Sequence, residues 1–523
     1  MALAYDPRRP PLVLLVPALA AGAGMLVPLG YLVTRALEGT GASAAELILR
    51  ARTLELLGNT LALVACVLAL STLIALPLAL LVTRTDVAPR RAISILCVLP
   101  LAIPGYVMAY ALIGLSGYYG FLNAAFGVTL PRLQGLFGAT LALSLYVFPY
   151  IFLNLRSALL GMDPSLVEAA RSLGRSPWRT FRDVTLPHLM PALLSGWLVV
   201  GLYVIGDFGA VALMRYEVFS YAIYNQYAGA FDRVYAAWLS LILVALTVSI
   251  LLAEGLLARR RRYARTGTGV ARAAGAFRLG RWRPLAYAFL GLVFAASIGL
   301  PLAVILYWMS FGGEAIDWSR IAAAAARTAA TAAPAAALAT LLALPVALLS
   351  ARFSSRPIWF LERLAYFGYA VPPLPFALAM VFFALSTLPA LSPTLPLLVL
   401  AYGLSFLALA VGPARAALLQ AGGRMEEAAR SLGRSGAAAF VAVTLPTISR
   451  SLVAGFLLVF ILVVKELPIA ALLAPTGWTT LSMNVFSRTV EGQLFEAAPY
   501  ALITVLFSSL FVGLILSHEG RRR

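Results

Sequence analysis

The chain has 523 residues, 62% of them hydrophobic and only 12% charged. So much apolar side chain exceeds what a soluble core can absorb, and points to an all-α polytopic membrane protein. The formal charge of +19 does not imply a nucleic-acid partner, because in such a protein Lys and Arg gather at the cytoplasmic ends of spans.

A helix needs about 20 predominantly apolar residues to cross about 30 Å of hydrocarbon. Twelve stretches qualify. In the first half they are roughly 11–35, 58–82, 92–116, 137–155, 190–214 and 236–257; in the second, 284–310, 329–350, 364–386, 394–414, 449–473 and 498–517. The first has the look of a signal peptide, with Arg8 and Arg9 before an apolar, Ala-rich run. Internal repetition argues against its removal: LVPLGYLV around Pro28 matches GLPLAVIL around Pro301 in the seventh stretch.

Other landmarks recur. Ala75-Leu76-Pro77 followed by Arg84 returns as Ala343-Leu344-Pro345 followed by Arg352, 268 residues on, and Ile103-Pro104 returns as Val371-Pro372. Two homologous units of six spans are therefore expected: residues 1–257 and 284–523, with a basic linker at 258–283. Six is even, so the units run parallel, related by an axis along the membrane normal. Most of the 40 Lys and Arg fall on one side if both termini are cytoplasmic, as the positive-inside rule asks. The linker, with nine arginines, reads as a tether near anionic headgroups.

The most informative repeat is polar. Glu168 to Gly196 returns as Glu427 to Gly455, 259 residues later without a gap, with 16 of 29 positions identical. Asp163 before Pro164 suits a helix start. Gly174 suits the left-handed residue that ends that helix, and Ser176 before Pro177 starts another. Gly433 and Ser435 hold the same places in the second copy. Each copy reads as helix, glycine turn, helix, offered by a membrane protein to a cytoplasmic partner.

At these residues the chain resembles the permease subunits of ATP-binding cassette (ABC) importers. Their signature appears as Glu168-Ala169-Ala170, Gly174, Val184, Leu186-Pro187, and again as Glu427-Ala428-Ala429, Gly433, Val443, Leu445-Pro446. The resemblance implies that each arm is a coupling helix seated in an ATPase subunit, two copies in all. It also implies a periplasmic binding protein, a type I importer fold and an inner-membrane location. The arms differ at Pro177, Trp178, Arg179 and Thr180, which face Gly436, Ala437, Ala438 and Ala439. The first arm should therefore bind its ATPase more strongly. No Gly-x-x-x-x-Gly-Lys-[Ser/Thr] loop is present, so ATP hydrolysis belongs elsewhere, and neither catalytic residue nor cofactor is expected in this chain.

The 259-residue offset also sets Asp207 opposite Glu466, and Gly206 opposite Lys465, the sole lysine. Intramembrane charges are costly and usually face an aqueous path. The two carboxylates either attract a cation and form an outer gate, or Asp207 caps a helix break while Lys465 and Glu466 snorkel. Asp207-Phe208-Gly209 and Lys465-Glu466-Leu467-Pro468, with Trp478-Thr479-Thr480-Leu481, look like the fused permeases of ferric-iron importers. Thiamine, putrescine and sulfate permeases share that architecture; the acidic pair favours a cation over sulfate.

Tyr203, Tyr216, Tyr221, Tyr224 and Tyr227 are either iron-contacting phenols or interfacial tyrosines. Loops at 215–235 and 474–497 are expected to meet the binding protein. His188 and His518 lie far apart, and Cys66 and Cys97 sit in apolar runs, so neither a His/Cys metal site nor a disulfide framework is expected. The competing class is an ion-coupled secondary transporter, with Asp207 or Glu466 carrying the proton.

Overall fold

The computed structural model describes residues 10–38, 46, 49–259, 277–313, 316–353 and 355–520, with backbone alone for 254–259, 511–512 and 514–520. Of the linker, 260–276 lies outside the described residues, as do the extreme termini.

Eight helices are long and apolar enough to span a membrane, and three bent pairs bring the number to eleven. The twelfth segment is Leu494–Gly520, with its apolar run at Leu494–Leu510. In order, the spans are Leu12–Leu37, Ala51–Arg84, Arg90–Leu115 as a bent pair, Gly135–Gly161, Leu186–Gly206 and Arg233–Arg259. The second set is Gly280–Ser310, Trp318–Arg352, Arg356–Thr387 and Leu395–Ala421 as bent pairs, Leu445–Lys465 and Leu494–Gly520. Of the twelve spans expected from hydropathy, up to eleven are present among the described residues, and the shorter apolar helix Leu494–Leu510 stands at the place of the twelfth.

Five spans depart from the straight rods that hydropathy suggested, among them span ten, which bends by 49° around Phe406. Span three turns by 88° between Ala102 and Gly105, and span nine by 106° between Ala370 and Pro373. The repeated prolines explain this: Pro104 and Pro372 lack an N–H and disfavour a helical residue before them. Ile103 and Val371 are accordingly extended. Spans five and eleven stop at Gly206 and Lys465 instead of running on to 214 and 473. Irregular backbone at membrane depth is tolerated where protein buries it or it lines a cavity.

The sequence repeats are not separate packed bodies. Span one lies against spans eight and nine of the other repeat, and its Ala18, Ala21 and Met25 share a core with Ala332, Ala336 and Phe376. Tyr31 of span one takes a 2.7 Å hydrogen bond from Thr387. Span seven makes the converse exchange: Val304 and Ile305 join the core of Val107 and Leu143, and Trp308 Nε1 donates to Gly114 O at 3.0 Å. Span one is thus an integral part of the second repeat's core. The end of the linker is clipped to the loop after span two. Phe277 N donates to Arg84 O at 2.8 Å, Asp86 N to Phe277 O at 3.2 Å, and the Tyr287 hydroxyl to Ala88 O at 2.8 Å.

Candidate functional site

Both arms fold as their side chains dictate. In the first, Asp163 Oδ1 accepts from Ser165 N at 3.0 Å and starts the helix Pro164–Ser172. Gly174 has φ +78° and turns the chain, a conformation that disfavours any Cβ. Ser176 Oγ then takes the amide of Arg179 at 3.4 Å. The second repeats this with helix Arg424–Ser431, Gly433 at φ +86° and Ser435 Oγ on Ala438 N at 3.2 Å. Each arm runs through a single π-type turn, Phe181–Thr185 or Phe440–Thr444, straight into span five or eleven. Leu186-Pro187 and Leu445-Pro446 are the first residues of those spans.

The arms are outward-facing. Glu168, Ala169, Glu427 and Ala428 are exposed, whereas Ala170 is buried and Ala429 half-buried. Leu173 and Leu432 are 81% and 86% exposed, and Trp178, stacked on Phe181, is 69% exposed. Such apolar tips in a polar setting suit a protein partner. A contact that the sequence did not reveal ties the second arm to span eight: Arg352 holds Glu426 at 2.5 and 3.2 Å, and Thr444 Oγ1 donates to Glu426 Oε2 at 2.6 Å. The neighbouring Glu427 makes no such bond among the described residues. In the first repeat Arg84 instead donates to the Leu159 carbonyl at 2.9 Å.

At its far end span five stops because Asp207 turns back on the chain. Its Oδ1 accepts the amides of Ala210 and Val211 at 3.0 and 3.3 Å, capping the short helix Gly209–Leu213. Glu466 does the same after span eleven, taking Ile469 N at 2.9 Å and Ala470 N at 3.4 Å ahead of Pro468–Leu473. The symmetry extends outward. Ser220 Oγ donates to Asp207 O at 2.5 Å, and Ser482 Oγ to Glu466 O at 2.7 Å. The two carboxylates therefore each satisfy their own helix start. The capping reading holds for Asp207, and extends to Glu466, which is 8% exposed rather than snorkelling.

The breaks of spans three, five, nine and eleven converge on one cavity of about 200 Å³ between the repeats. Asp207, Lys465 and Glu466 all line it. Of the tyrosines singled out from sequence, Tyr203 lines it and Tyr216, Tyr221, Tyr224 and Tyr227 do not. Tyr216 instead donates to Asn59 O at 3.3 Å, and Tyr224 packs on Phe208. The other lining phenols, Tyr106, Tyr146, Tyr150 and Tyr369, went unnoticed in sequence. The only signal in sequence was the placement of Tyr106 and Tyr369 beside the repeated Pro104 and Pro372. Among the described residues there is no group of three His, Cys, Asp or Glu able to hold a metal.

The segments read as outer loops are partly helical. Phe219–Tyr224 and Leu481–Val490 fold back beside the breaks, with Phe219, Leu481 and Val485 fully buried. Their amides are held alike: Phe219 N on Thr60 Oγ1 at 3.3 Å, Leu481 N on Thr328 Oγ1 at 2.9 Å. Several rim charges are used internally, as in the ion pairs Arg52–Glu217 and Arg488–Glu496.

Two stretches of the chain, 71–263 and 339–521, match the family described as binding-protein-dependent transport system inner membrane component. The chain is 32% identical over 513 residues to the Fe(3+)-transport system permease protein FbpB 2 of Haemophilus influenzae, covering 97% of this chain and 99% of that protein. It is 36% identical over 116 residues to the molybdenum transport system permease protein ModB of Escherichia coli K12, covering 21% of this chain and 50% of that one. Both arms and the breaks of spans three, five, nine and eleven fall inside the matched stretches, and on that evidence the chain belongs to the binding-protein-dependent inner membrane component family, as an ABC transporter permease that carries the family's unit twice.

Proposed function

We propose that the chain is the permease of a ferric-iron importer, with a cytoplasmic ATPase subunit on each arm and a periplasmic binding protein at the opposite face. The iron assignment is supported by likeness to a Fe(3+)-transport permease along nearly the whole chain. Both termini, both arms and the linker lie on the cytoplasmic side in this reading, in keeping with the positive-inside rule.

The observation that carries the mechanism is continuity. The second helix of the first arm runs on into span five as one stretch, Pro177–Gly206, ending beside Asp207, and that of the second arm into span eleven as Gly436–Lys465, ending beside Glu466. Each span of 21 residues covers about 31 Å at 1.5 Å per residue. A displacement of the arm's second helix when the ATPases close is therefore carried along the span to the cavity wall. The repeats separate around the cavity, and cargo released outside crosses between them. The chain itself performs no covalent chemistry.

The test is uptake of labelled ferric iron in proteoliposomes holding the chain, its ATPase and its binding protein. Uptake should require ATP and all three components. Uptake driven by a pH gradient without the ATPase would reject the proposal in favour of an ion-coupled transporter. ATP-dependent uptake of thiamine or putrescine, but not iron, would keep the ABC mechanism and reject the cargo.

A further inference from the structure

The cavity already contains a cation. Lys465 Nζ donates to Leu101 O at 3.0 Å and stands 5.9 Å from the centre of the Tyr146 ring. Leu101 belongs to the break of span three, in the other repeat. No carboxylate forms an ion pair with Lys465 among the described residues. Glu466, next to it in sequence, spends both oxygens on the amide of Ile469.

The pseudo-symmetric position has no such group. There Gly206 packs so closely on the other break that an added Cβ would lie 3.2 Å from Pro373 Cδ. The two crossings of the interface are therefore unlike: one is backbone against proline, the other a long charged side chain. The surroundings of the lysine are unlike too. Tyr146, Tyr150 and Tyr203 come from the first repeat, where Ser405, Leu409 and Leu462 stand at the matching positions of the second. The rings of Tyr146 and Tyr203 are 5.0 Å apart, and Asp207 stands beside Tyr203 with its Oδ2 against Gly105 and outside both capping bonds.

Phenol oxygens, a carboxylate oxygen and a backbone carbonyl are hard donors, the kind that a small highly charged cation takes. We propose that Lys465 is a tethered cation holding the cargo's place in this cavity, and that a hard trivalent cation must displace it. This rests on the ferric-iron reading for the identity of the cargo. The same groups attract both charges, and like charges in one low-dielectric cavity exclude each other. Arrival of the cargo expels the ammonium, breaks its bond to Leu101 and frees span three from span eleven. The lysine thereby links occupancy of the cavity to separation of the repeats.

Terbium(III), a hard trivalent ion whose emission is sensitised by nearby tyrosine, serves as the probe. It is titrated into the purified full-length chain, with no ATPase, binding protein or iron present. Lys465→Gln keeps a donor for Leu101 without the charge, and Lys465→Met removes both; each should tighten binding at least about tenfold. Lys465→Arg, which keeps the charge, should bind as the parent does. Adding Tyr203→Phe to Lys465→Gln should abolish the gain, locating the probe in this cavity. Unchanged or weaker binding in Lys465→Gln that elutes and melts like the parent overturns the proposal, as does a gain that survives Tyr203→Phe. Because the titration needs no transport, it stands or falls apart from iron uptake: uptake without a terbium shift rejects the tethered cation alone, and a shift without iron uptake rejects the cargo alone.

Discussion

Lys465 at the end of span eleven hydrogen-bonds the carbonyl of Leu101 at the break of span three, 364 residues away in sequence. The bond crosses between the repeats at the point where their helices are interrupted. Around it the interface is closely packed. An added Cβ on Gly209 would lie 2.9 Å from both Leu467 Cδ2 and Tyr106 Cβ. Leucine can rotate away, but the tyrosine Cβ is fixed by its backbone. Gly209→Ala should therefore lower stability by about 1–3 kcal/mol, the usual cost of overpacking. A thermal melt of the purified chain equal to the parent's would contradict this.

Asp207 combines a cap with a charge, and two substitutions separate them. Asp207→Asn keeps an oxygen for the amides of Ala210 and Val211, so its melting temperature should stay close to the parent's. Asp207→Ala loses the cap and should cost about 1 kcal/mol. If the charge serves the cation path, both variants should lower ferric-iron uptake several-fold. Full uptake in Asp207→Asn would confine this residue to a structural role.

The second arm depends on Glu426 more than on its exposed neighbour. Glu426 is gripped by Arg352 and Thr444, so its removal leaves a half-buried guanidinium without its acceptor. Glu426→Ala should destabilise the chain by about 1–3 kcal/mol, as is usual for lost bonds to a charged group. Glu427→Ala should leave the melt unchanged and act instead on ATPase binding. Reversal of that order in paired thermal melts and pull-downs would show that the wrong glutamate had been assigned to the fold.

Trp178 offers the first arm an exposed aromatic surface that the second lacks. Trp178→Ala should weaken ATPase binding by about 2 kcal/mol, roughly thirtyfold, within the range for an interface hot spot. Ala437→Ser should change little. Equal losses from the two substitutions would mean that the arms contribute alike.

Sequence alone determined the features whose signals are local or repeated. Apolar runs counted the spans, Asp163, Ser176 and Ser435 marked the caps, and Gly174 and Gly433 marked the turns. The 259-residue offset paired Asp207 with Glu466 and Gly206 with Lys465. Tertiary structure alone decided which helices touch. It exchanged spans one and seven between the repeats, gathered Tyr106, Tyr146, Tyr150 and Tyr369 around one cavity, brought Lys465 to Leu101 and joined Arg352 to Glu426. In a bilayer, lipid-facing and helix-facing surfaces are equally apolar, so packing partners leave little trace in hydropathy. Repetition reports ancestry; contact depends on how the helices bend at Pro104 and Pro372, and no pattern within a single span carries that geometry.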